Sequence, residues 1–265
     1  MFVVYSLADE VSLGVADILK ESLPFTNSIN EKCNLKLFSY KNINLLEISE
    51  LHINADFLNE CNDTIMFLSK HISAKGISSF SVHPEGNWSS ENKLGGKPKM
   101  LSVAAPYEMQ KMLSIINKNN KYSIEVAYEA THHGPLLNNP SFFVEIGGNE
   151  EAIKNNAYRK VLAESVIEFF TNDEASQGKV ALGIGGMHYE RKFTKLALNG
   201  TYAFSHMLPK YQFEDYSVVE MIEQARSRSV PEAELAVIEK SSFNHDEKEI
   251  ILKKLNDIGL DHVMV

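Results

Sequence analysis

The sequence has few of the features that mark secreted, membrane or nucleic-acid-coating proteins. Its two cysteines, Cys33 and Cys61, have no metal-type spacing. No apolar run approaches the roughly 20 residues that a membrane-spanning helix needs, and no basic region precedes the apolar N-terminal residues, as it would in a secretory signal. The formal net charge of −9 argues against broad coating of nucleic acid. We therefore expect a cytoplasmic protein with reduced thiols and with neither a membrane nor DNA as partner.

The order of the hydrophobic patterns indicates an α/β protein. The chain has 265 residues, 44% hydrophobic and 23% charged, which is enough for a substantial core. Short apolar runs with strand character alternate with amphipathic stretches of helical period. Helices are predicted at 11–23, 107–117, 150–170, 218–228 and 246–258, the last opened by a capping box of Asp246 and Glu249. No linker or repeat divides the chain, so one α/β catalytic domain over residues 1–265 is expected.

The stretch EVAYEATHHGP, residues 125–135, is where we expect the chemistry. It begins as a strand, and it ends in a corner because Gly134 permits unusual backbone angles and Pro135 fixes the next φ. Pro135 also biases Gly134 away from helical angles. His132 and His133 therefore lie where the chain leaves a sheet.

Other histidines also follow predicted strands. His71, His83, His188 and His206 each come just after a strand-like run, as do His132 and His133. In open α/β sheets, ligands bind beyond the carboxyl ends of the strands. Parallel strands would gather these imidazoles along one edge, whereas an antiparallel strand would send its histidine to the opposite edge.

Two glutamates join this group. Glu145 interrupts an apolar run, where an unpaired charge is costly, and Glu129 ends the strand before His132. Imidazoles with carboxylates are zinc ligands, and a catalytic zinc site keeps one position for water. The alternatives from spacing alone are a tight turn whose imidazoles pack on the sheet edge and an ion pair of Glu145 with an interior cation.

Two glycine-rich segments stand out. Residues 85–99 form a long Gly, Asn, Ser and Pro-rich loop with Lys93, Lys97 and Lys99, and long loops in compact domains are usually functional or disordered. The run GIGG at 183–186 lacks the lysine and the downstream helix of a phosphate-binding loop. We interpret it as a sharp turn under a closely bound ligand.

Four segments, taken together and in order, resemble the archaeal and plant type of D-aminoacyl-tRNA deacylase: SKHISAKGISSFSVHPEGNW, EVAYEATHHGP, SFFVEIGGNEEA and GIGGMHYERKFTKLAL. The resemblance extends over nearly the whole chain. It implies a three-layer fold with a mixed, mostly parallel sheet between helices, similar to the folds of peptidyl-tRNA hydrolases and nucleoside phosphorylases. It also implies zinc-dependent hydrolysis of the ester between a D-amino acid and tRNA.

The resemblance assigns roles to residues of this sequence. Catalytic roles fall to Glu129, Thr131, Glu145 and His83, and metal ligation to His132, His133, His188 and His206. Substrate contacts fall to Asn87 and Tyr189. Apart from the resemblance, we expect nearby basic side chains to face the phosphates of the aminoacyl-tRNA acceptor end, namely Lys93, Lys97, Lys99, Arg191 and Lys192. His71 also matches the family, while Arg191 and Ser205 depart from its expected proline and glycine. A monomer is expected.

Two other functions stay open at this point. A zinc amidohydrolase or peptidase acting on small acylated amino acids would use the same histidines without a basic loop. A non-catalytic tRNA- or nucleotide-binding module would use them for stacking and hydrogen bonding, without a metal.

Overall fold

The strands of the molecule form two main sheets in the computed structural model, which describes residues 1–72, 76–173, 176, 178–214 and 216–265. Ser73, Ala74 and Lys75 of the first family segment lie outside the described residues. The strands are β1 Phe2–Ser6, β2 Thr26–Asn30, β3 Leu35–Tyr40, β4 Ile43–Ile48, β5 Ile65–Ile72, β6 Ser79–His83, β7 Gly86–Asn87, β8 Met100–Leu101, β9 Val103–Ala104, β10 Glu125–Tyr128, β11 Pro140–Gly148, β12 Lys179–Ile184, β13 Tyr202–Leu208, β14 Leu235–Ile238 and β15 Asp261–Met264.

The helices are α1 Glu10–Ser22, α2 Pro106–Asn119, α3 Glu150–Ile153, α4 Asn156–Thr171, α5 Arg191–Leu198, α6 Ile222–Ser227 and α7 His245–Asp257. Short 3₁₀-helices lie at His52–Asn54, Asp56–Cys61, Lys210–Glu214, Tyr216–Met221 and Lys240–Ser242. The predicted first two helices are confirmed. The predicted helix at 150–170 is divided between α3 and α4, and only the end of the one at 218–228 is α-helical. The capping box before α7 is Asn244 with Glu247, so the predicted pair was wrong.

The larger sheet is mixed and mostly parallel. Within the described residues its strands run in the order β10-β6-β11-β5-β1-β4-β3-β2, with β9 added beside β11. The antiparallel neighbours are β6 with β11, β2 with β3, and β3 with β4. The smaller sheet, β13-β12-β14-β15, is wholly parallel. The predicted α/β class, with a mixed, mostly parallel sheet between helices, is confirmed.

The antiparallel pairing of β6 with β11 changes how the histidines meet. Along β11, Phe143 lies opposite His83 of β6, and Gly147 lies opposite His71 of β5. Glu145 stands between those two positions and on the same face, because side chains alternate along a strand. The imidazoles therefore gather over one face of the sheet around Glu145. The condition that all these strands are parallel is not met, since β5 and β6 run in opposite directions.

Each face of the larger sheet has its own apolar packing. One face packs on α1, α2 and α4 in a core that also includes Phe193, Phe204 and Met207 from the region of the smaller sheet. The other face packs on the 3₁₀ turns at 52–61 through a cluster that includes Phe67 and Phe143. Glu145 belongs to this second face. Among the described residues, no helix is long and apolar enough to cross a membrane.

Candidate metal centre and its cleft

The segment 129–137, called here the corner, joins the two sheets. Ala130 donates its N–H to the carbonyl of His188, and Thr131 donates to the carbonyl of Met207 in β13. The N–H of Gly134 donates to Leu94 O in the loop 85–99. These backbone bonds place His132 and His133 between the larger sheet, the smaller sheet and that loop.

A histidine–glutamate cluster forms at the corner from His71, His83, Glu129, His132, His133, Glu145 and His188. Glu129 Oε2 lies 3.4 Å from His71 Nδ1, 3.6 Å from His132 Nε2 and 3.3 Å from His188 Nε2. Glu145 Oε2 lies 3.3 Å from His83 Nε2 and 3.7 Å from His71 Nδ1. Both carboxylates are buried, whereas His71, His132 and His188 are partly exposed. One side of the cluster is thus open to solvent.

Backbone carbonyls orient three of the imidazoles. The Nδ1 atoms of His83, His132 and His133 lie 3.2, 2.7 and 2.6 Å from the carbonyls of Pro84, Ala130 and Gly134. A carbonyl only accepts, so each Nδ1 carries the proton. The Nε2 atoms of these imidazoles are then left to face the cluster, which is the usual arrangement of metal-binding histidine.

Several inward-facing atoms of the cluster lack a hydrogen bond within the described part of the chain. They are both carboxylate oxygens of Glu129, Oε2 of Glu145, Nε2 of His83 and Nε2 of His188. Leaving such groups buried and unpaired costs about 1–3 kcal/mol each. A bound cation would satisfy the oxygens and the imidazole nitrogens together.

The charges of the cluster favour a cation. Burial would raise the pKa of Glu145, but the imidazole of His83 outweighs it and lowers that pKa to about 2. Burial likewise opposes ionisation of Glu129, yet the His188 imidazole holds its pKa below the ordinary value. Burial lowers the pKa of His132 and brings that of His133 to about 4. The cluster therefore combines two carboxylates with the neutral imidazoles of His132 and His133 at neutral pH.

His83 carries the exchangeable proton of the cluster. Burial lowers its pKa, but the carboxylate of Glu145, 3.3 Å from its Nε2, outweighs burial and raises it to about 9. A cation bound at Nε2 would replace this proton, since metal ligands must be deprotonated.

The donor atoms fit a divalent metal such as zinc. Donor atoms of His71, Glu129, His132 and His188 all lie within 4.8 Å of one another. The same holds for two smaller groups that include His83. Nitrogen and oxygen donors at such spacing suit tetrahedral zinc, with one position left for water.

A cleft of about 370 Å³ opens beside the cluster. Its walls include Trp88 and Leu94 from the loop, Thr131 and His133 from the corner, and Gln212. We call it the entrance cleft. His132 and His133 line it, so a molecule bound there would contact the cluster.

Close backbone contact holds the loop 85–99 against the corner. A Cβ on Gly134 would lie 2.2 Å from Gly96 N, so only glycine permits this approach. Asn87 donates to the carbonyls of Gly95 and Lys97, at 2.9 and 3.3 Å. Asn87, predicted to contact substrate, therefore braces the loop and also lines the entrance cleft.

The structure does not bring His206 to the cluster. Its Nε2 lies 2.9 Å from the carbonyl of Arg228 and 3.1 Å from that of Ser102, and its Nδ1 lies 3.2 Å from Thr131 Oγ1. Thr131 is held in turn by the N–H of Met207, 2.9 Å from its hydroxyl oxygen. Both ring nitrogens of His206 are thus already used by protein atoms.

The predicted phosphate-binding cations are exposed, and several have acidic partners. Lys93 pairs with Glu91 at 3.3 Å, and Lys192 with Glu239 at 3.2 Å. Arg191 makes a two-bond contact with Glu125, at 2.6 and 3.0 Å. Lys99 donates to Ser217 at 2.8 Å, and Lys97 is exposed. Such surface pairs are worth about 0–1 kcal/mol and exchange readily for other anions.

Tyr189, which was predicted to contact the substrate, lies next to the cluster. Its ring centroid is 5.3 Å from that of His188 and 6.2 Å from that of His71. Its hydroxyl is 3.3 Å from Ser79 Oγ in β6.

Sequence reasoning missed two buried carboxyls near the site. Glu85 is fully buried, and burial raises its pKa to about 7. Burial, followed by the charge of Glu239, raises the pKa of Glu190 to about 10. A Cβ on Gly186 would lie 2.0 Å from Glu190 Oε2, so the GIGG turn closes over a carboxyl of this chain. The sequence does place Glu85 directly after His83-Pro84 and Glu190 directly after His188-Tyr189, and this closeness to two family motifs could have indicated them.

The fold and the site together define an α/β enzyme with a histidine–carboxylate centre. The D-aminoacyl-tRNA deacylase family matches residues 58–263. The chain is 34% identical to the D-aminoacyl-tRNA deacylase of Pyrococcus furiosus over 264 residues, covering 96% of each protein. It is 35% identical to that of Ignicoccus hospitalis, covering 84% of this chain and 89% of the relative. The chain therefore belongs to the D-aminoacyl-tRNA deacylase family, as its motifs predicted, and is a hydrolase acting on ester bonds.

A solved structure has the same fold. The crystal structure described as "Conserved Protein of Unknown Function AF0625" superposes with a TM-score of 0.89 at 30% identity, covering 99% of this chain and 94% of that chain.

Proposed function

We propose that this protein uses zinc to hydrolyse the ester bond of D-aminoacyl-tRNA, releasing the free D-amino acid and tRNA. The observation that carries the proposal is the convergence of His71, Glu129, His132 and His188, with unpaired donor atoms, in a chain of this family. A single catalytic domain, a cytoplasmic location and a monomeric state stay predictions.

The metal ligands we propose are His71, Glu129, His132 and His188. The three imidazoles of this set are partly exposed, so a water and a substrate carbonyl can reach them. The alternative set of His83, Glu129 and Glu145 is wholly buried. When bound, zinc polarises the ester carbonyl and lowers the pKa of a water to about 7. His206, which was expected among the ligands, has no place in this set.

Glu145 orients the imidazoles on the buried side. Its carboxylate lies between His71 and His83, and its low pKa keeps it ionised at neutral pH. Glu145 approaches His71 at Nδ1, the nitrogen that also faces Glu129, so it adds negative charge beside the proposed ligands and holds the ring of His83. His83 is held by the same carboxylate and by the carbonyl of Pro84.

His133 is the proton acceptor that the entrance cleft makes available. It lines the cleft, and its Nδ1–H is bound to Gly134 O, so its unprotonated Nε2 accepts a hydrogen bond. A proton leaving the attacking water would move to this nitrogen and then to the departing ribose oxygen. Tyr189 borders the opposite side of the ligand imidazoles.

The acceptor end of the tRNA would approach over the loop 85–99. Lys93, Lys97 and Lys99 project from this loop, and Lys93 also lines the entrance cleft. Phosphates would displace the weak partners of these lysines, and Arg191 and Lys192 would extend the contact. A chain of net charge −9 needs only this local patch to bind a polyanion.

The test is a time course of deacylation with paired esters of tRNA. The protein should release amino acid from D-tyrosyl- or D-aspartyl-tRNA and leave the matching L-esters largely intact, because the two enantiomers place the side chain differently in one transition state. Equal hydrolysis of both enantiomers would refute stereospecific deacylation. Turnover of N-acyl amino acids with no action on either ester would identify an amidohydrolase instead. Binding of tRNA without any hydrolysis would identify a binding module.

A further inference from the structure

His206 occupies a central place beneath the corner, although it does not touch the cluster. It is fully buried, in β13, and its ring meets the indole of Trp88 edge-on at 6.3 Å. Its polar neighbours are Thr131, Ser102 and Arg228. Thr131 belongs to the corner, and Ser102 and Arg228 hydrogen-bond to it, so His206 contacts the corner and two residues that support it.

The hydrogen bonds of His206 specify one tautomer. Both acceptors at Nε2 are backbone carbonyls, of Ser102 and Arg228, so Nε2 carries the proton and donates to both. The ring is neutral, because burial lowers its pKa to about 4. Nδ1 therefore presents a lone pair, and the hydroxyl of Thr131 must donate to it.

Thr131 is consequently fixed to β13 by hydrogen bonds from both its side chain and its backbone. Its hydroxyl donates to His206, its hydroxyl oxygen accepts from Met207 N–H, and its own N–H donates to Met207 O. The next residue in the chain is His132, whose Nδ1–H is directed to Ala130 O. The position of His132 Nε2 in the cluster thus depends on the rotamer and backbone of Thr131.

The far end of the corner is held by the other two partners of His206. Ser102 Oγ donates to Pro135 O and accepts from Leu137 N–H. The guanidinium of Arg228 donates to Leu137 O at 2.9 Å. The side chains of Ser102 and Arg228 hold the corner, and their backbone carbonyls accept the hydrogen bonds from His206 Nε2–H. His206 thereby links Thr131, near the start of the corner, to Ser102 and Arg228, which hold the end of the corner.

The geometry points to His206 as a positioning residue, which acts through Thr131 to hold His132 at the metal centre. This inference rests on the proposed metal site, and it assigns His206 a role that excludes metal ligation. Loss of the Nδ1 acceptor leaves the O–H of Thr131 buried without an acceptor, so the corner shifts. Outer groups of this kind typically change metal affinity by about 10- to 100-fold.

Two substitutions separate the two ends of the imidazole. His206→Asn places an amide oxygen near Nδ1 and keeps an acceptor for Thr131, whereas His206→Gln places an amide N–H near Nε2 and keeps the donor. Thr131→Val removes the hydroxyl at nearly constant volume, and Thr131→Ser retains it. The control is His245→Ala, because His245 is exposed on α7.

The measurements are the zinc affinity of metal-free protein and the side-chain ¹⁵N–¹H correlations of its histidines. We expect His206 to show the neutral Nε2–H tautomer from pH 5.5 to 8, and zinc to shift the His132 and His188 signals but not those of His206. His206→Gln and Thr131→Val should weaken zinc binding about 10- to 100-fold and displace the His132 signals. His206→Asn and Thr131→Ser should stay close to the wild type.

Several results would overturn the inference. Direct coordination of zinc by His206 would do so, and so would unchanged His132 signals in both His206→Gln and Thr131→Val. If His206→Gln does not fold, the Thr131 pair decides the question. If the wild type binds no zinc, the proposed metal site fails, while the His206 tautomer and the His132 signals of the metal-free variants still decide the positioning role.

Discussion

The histidines near the corner differ in what their second ring nitrogen contacts. In His132 and His133, Nδ1 donates to a neighbouring carbonyl and Nε2 faces the cluster. In His206, both ring nitrogens are hydrogen-bonded to protein atoms outside the cluster. The sequence shows each of them only as a histidine near a strand. Burial and hydrogen-bond partners of a single ring come from distant segments, so this distinction could not be predicted.

Removal of either ligand imidazole should release the metal. In His132→Ala and His188→Ala, we expect bound zinc and the deacylation rate to fall together while the fold survives, because both side chains are partly exposed and few core contacts are lost. Metal analysis of the purified variants and circular dichroism would check this, with His245→Ala as the unaffected control. Full zinc content with lost activity in both variants would make these residues acid–base or substrate contacts instead.

Buried neutral histidines should make the protein sensitive to acid. His52 is buried against Phe67 and Phe143, and burial lowers its pKa to about 4, below the ordinary 6.5. Between these two pKa values His52 is protonated in the unfolded chain but not in the folded protein, so the free energy of unfolding decreases as the pH falls. Each such group contributes a slope of at most about 1.4 kcal/mol per pH unit.

The His52→Leu variant tests this dependence. Its free energy of unfolding, measured by urea denaturation from pH 7.5 to 4.5, should fall less steeply than that of the wild type. His133 and His206, whose pKa values burial also lowers to about 4, keep part of the slope in the variant. The account of His52 fails if the two proteins lose stability in parallel over this range.

At the scale of elements, the direction of one strand decides how the site is assembled. The apolar runs predicted strands before His71, His83 and His132, and β5, β6 and β10 are found there, although β5 and β6 continue far enough to include His71 and His83. Their pairing was not predictable, since strand order and direction depend on long-range contacts. The antiparallel β6 is what places His83 opposite Phe143 and beside Glu145.

The contact between β11 and β6 offers a test at this scale. A Cβ on Gly147 would lie 2.3 Å from Ser79 Oγ, with His71 Cβ and Tyr189 Oη at ordinary distances. Gly147→Ala should therefore separate the strands beneath His71, lower the deacylation rate and destabilise the fold by about 1–3 kcal/mol. Urea denaturation and kcat measurements would show this.

Ser79→Ala supplies the matched control because it removes the atom that the new methyl group would strike. The double variant Gly147→Ala/Ser79→Ala should resemble Ser79→Ala alone, so that the two changes are non-additive. Additive losses of stability would show that the glycine is needed for a reason other than this contact.

At the scale of the whole molecule, two sheets and one loop enclose the cluster. The α/β class and most members of the cluster, though not their roles, were accessible from periodicity and family resemblance. The smaller sheet was not anticipated as a separate unit, because its strands look like those of the larger sheet in sequence. The segment that follows its strand β12 carries His188 into the cluster, and backbone bonds from His188 and Met207 hold the corner.

The uneven charge of the molecule predicts how binding depends on salt. Replacing Lys93, Lys97 and Lys99 together with Ala should raise KM for charged tRNA and flatten its dependence on salt, because fewer counterions are released. The kcat should change less, since these contacts bind ground and transition states alike. Steady-state kinetics at several salt concentrations give both values.

The control for this experiment is a triple replacement of exposed lysines far from the loop in sequence, Lys32, Lys41 and Lys253. It removes the same charge from the molecule. An equal rise in KM in both triple variants would show that net charge, and not the loop, governs tRNA binding.

The central claim is that zinc in the histidine–glutamate cluster performs the deacylation. It is tested most directly by returning zinc stepwise to chelated protein while following release of the D-amino acid from D-tyrosyl-tRNA. The rate should rise from near zero in proportion to zinc bound by the wild type, and His188→Ala should need far more zinc for the same rate. Full activity in the chelated, metal-free wild type would contradict the account.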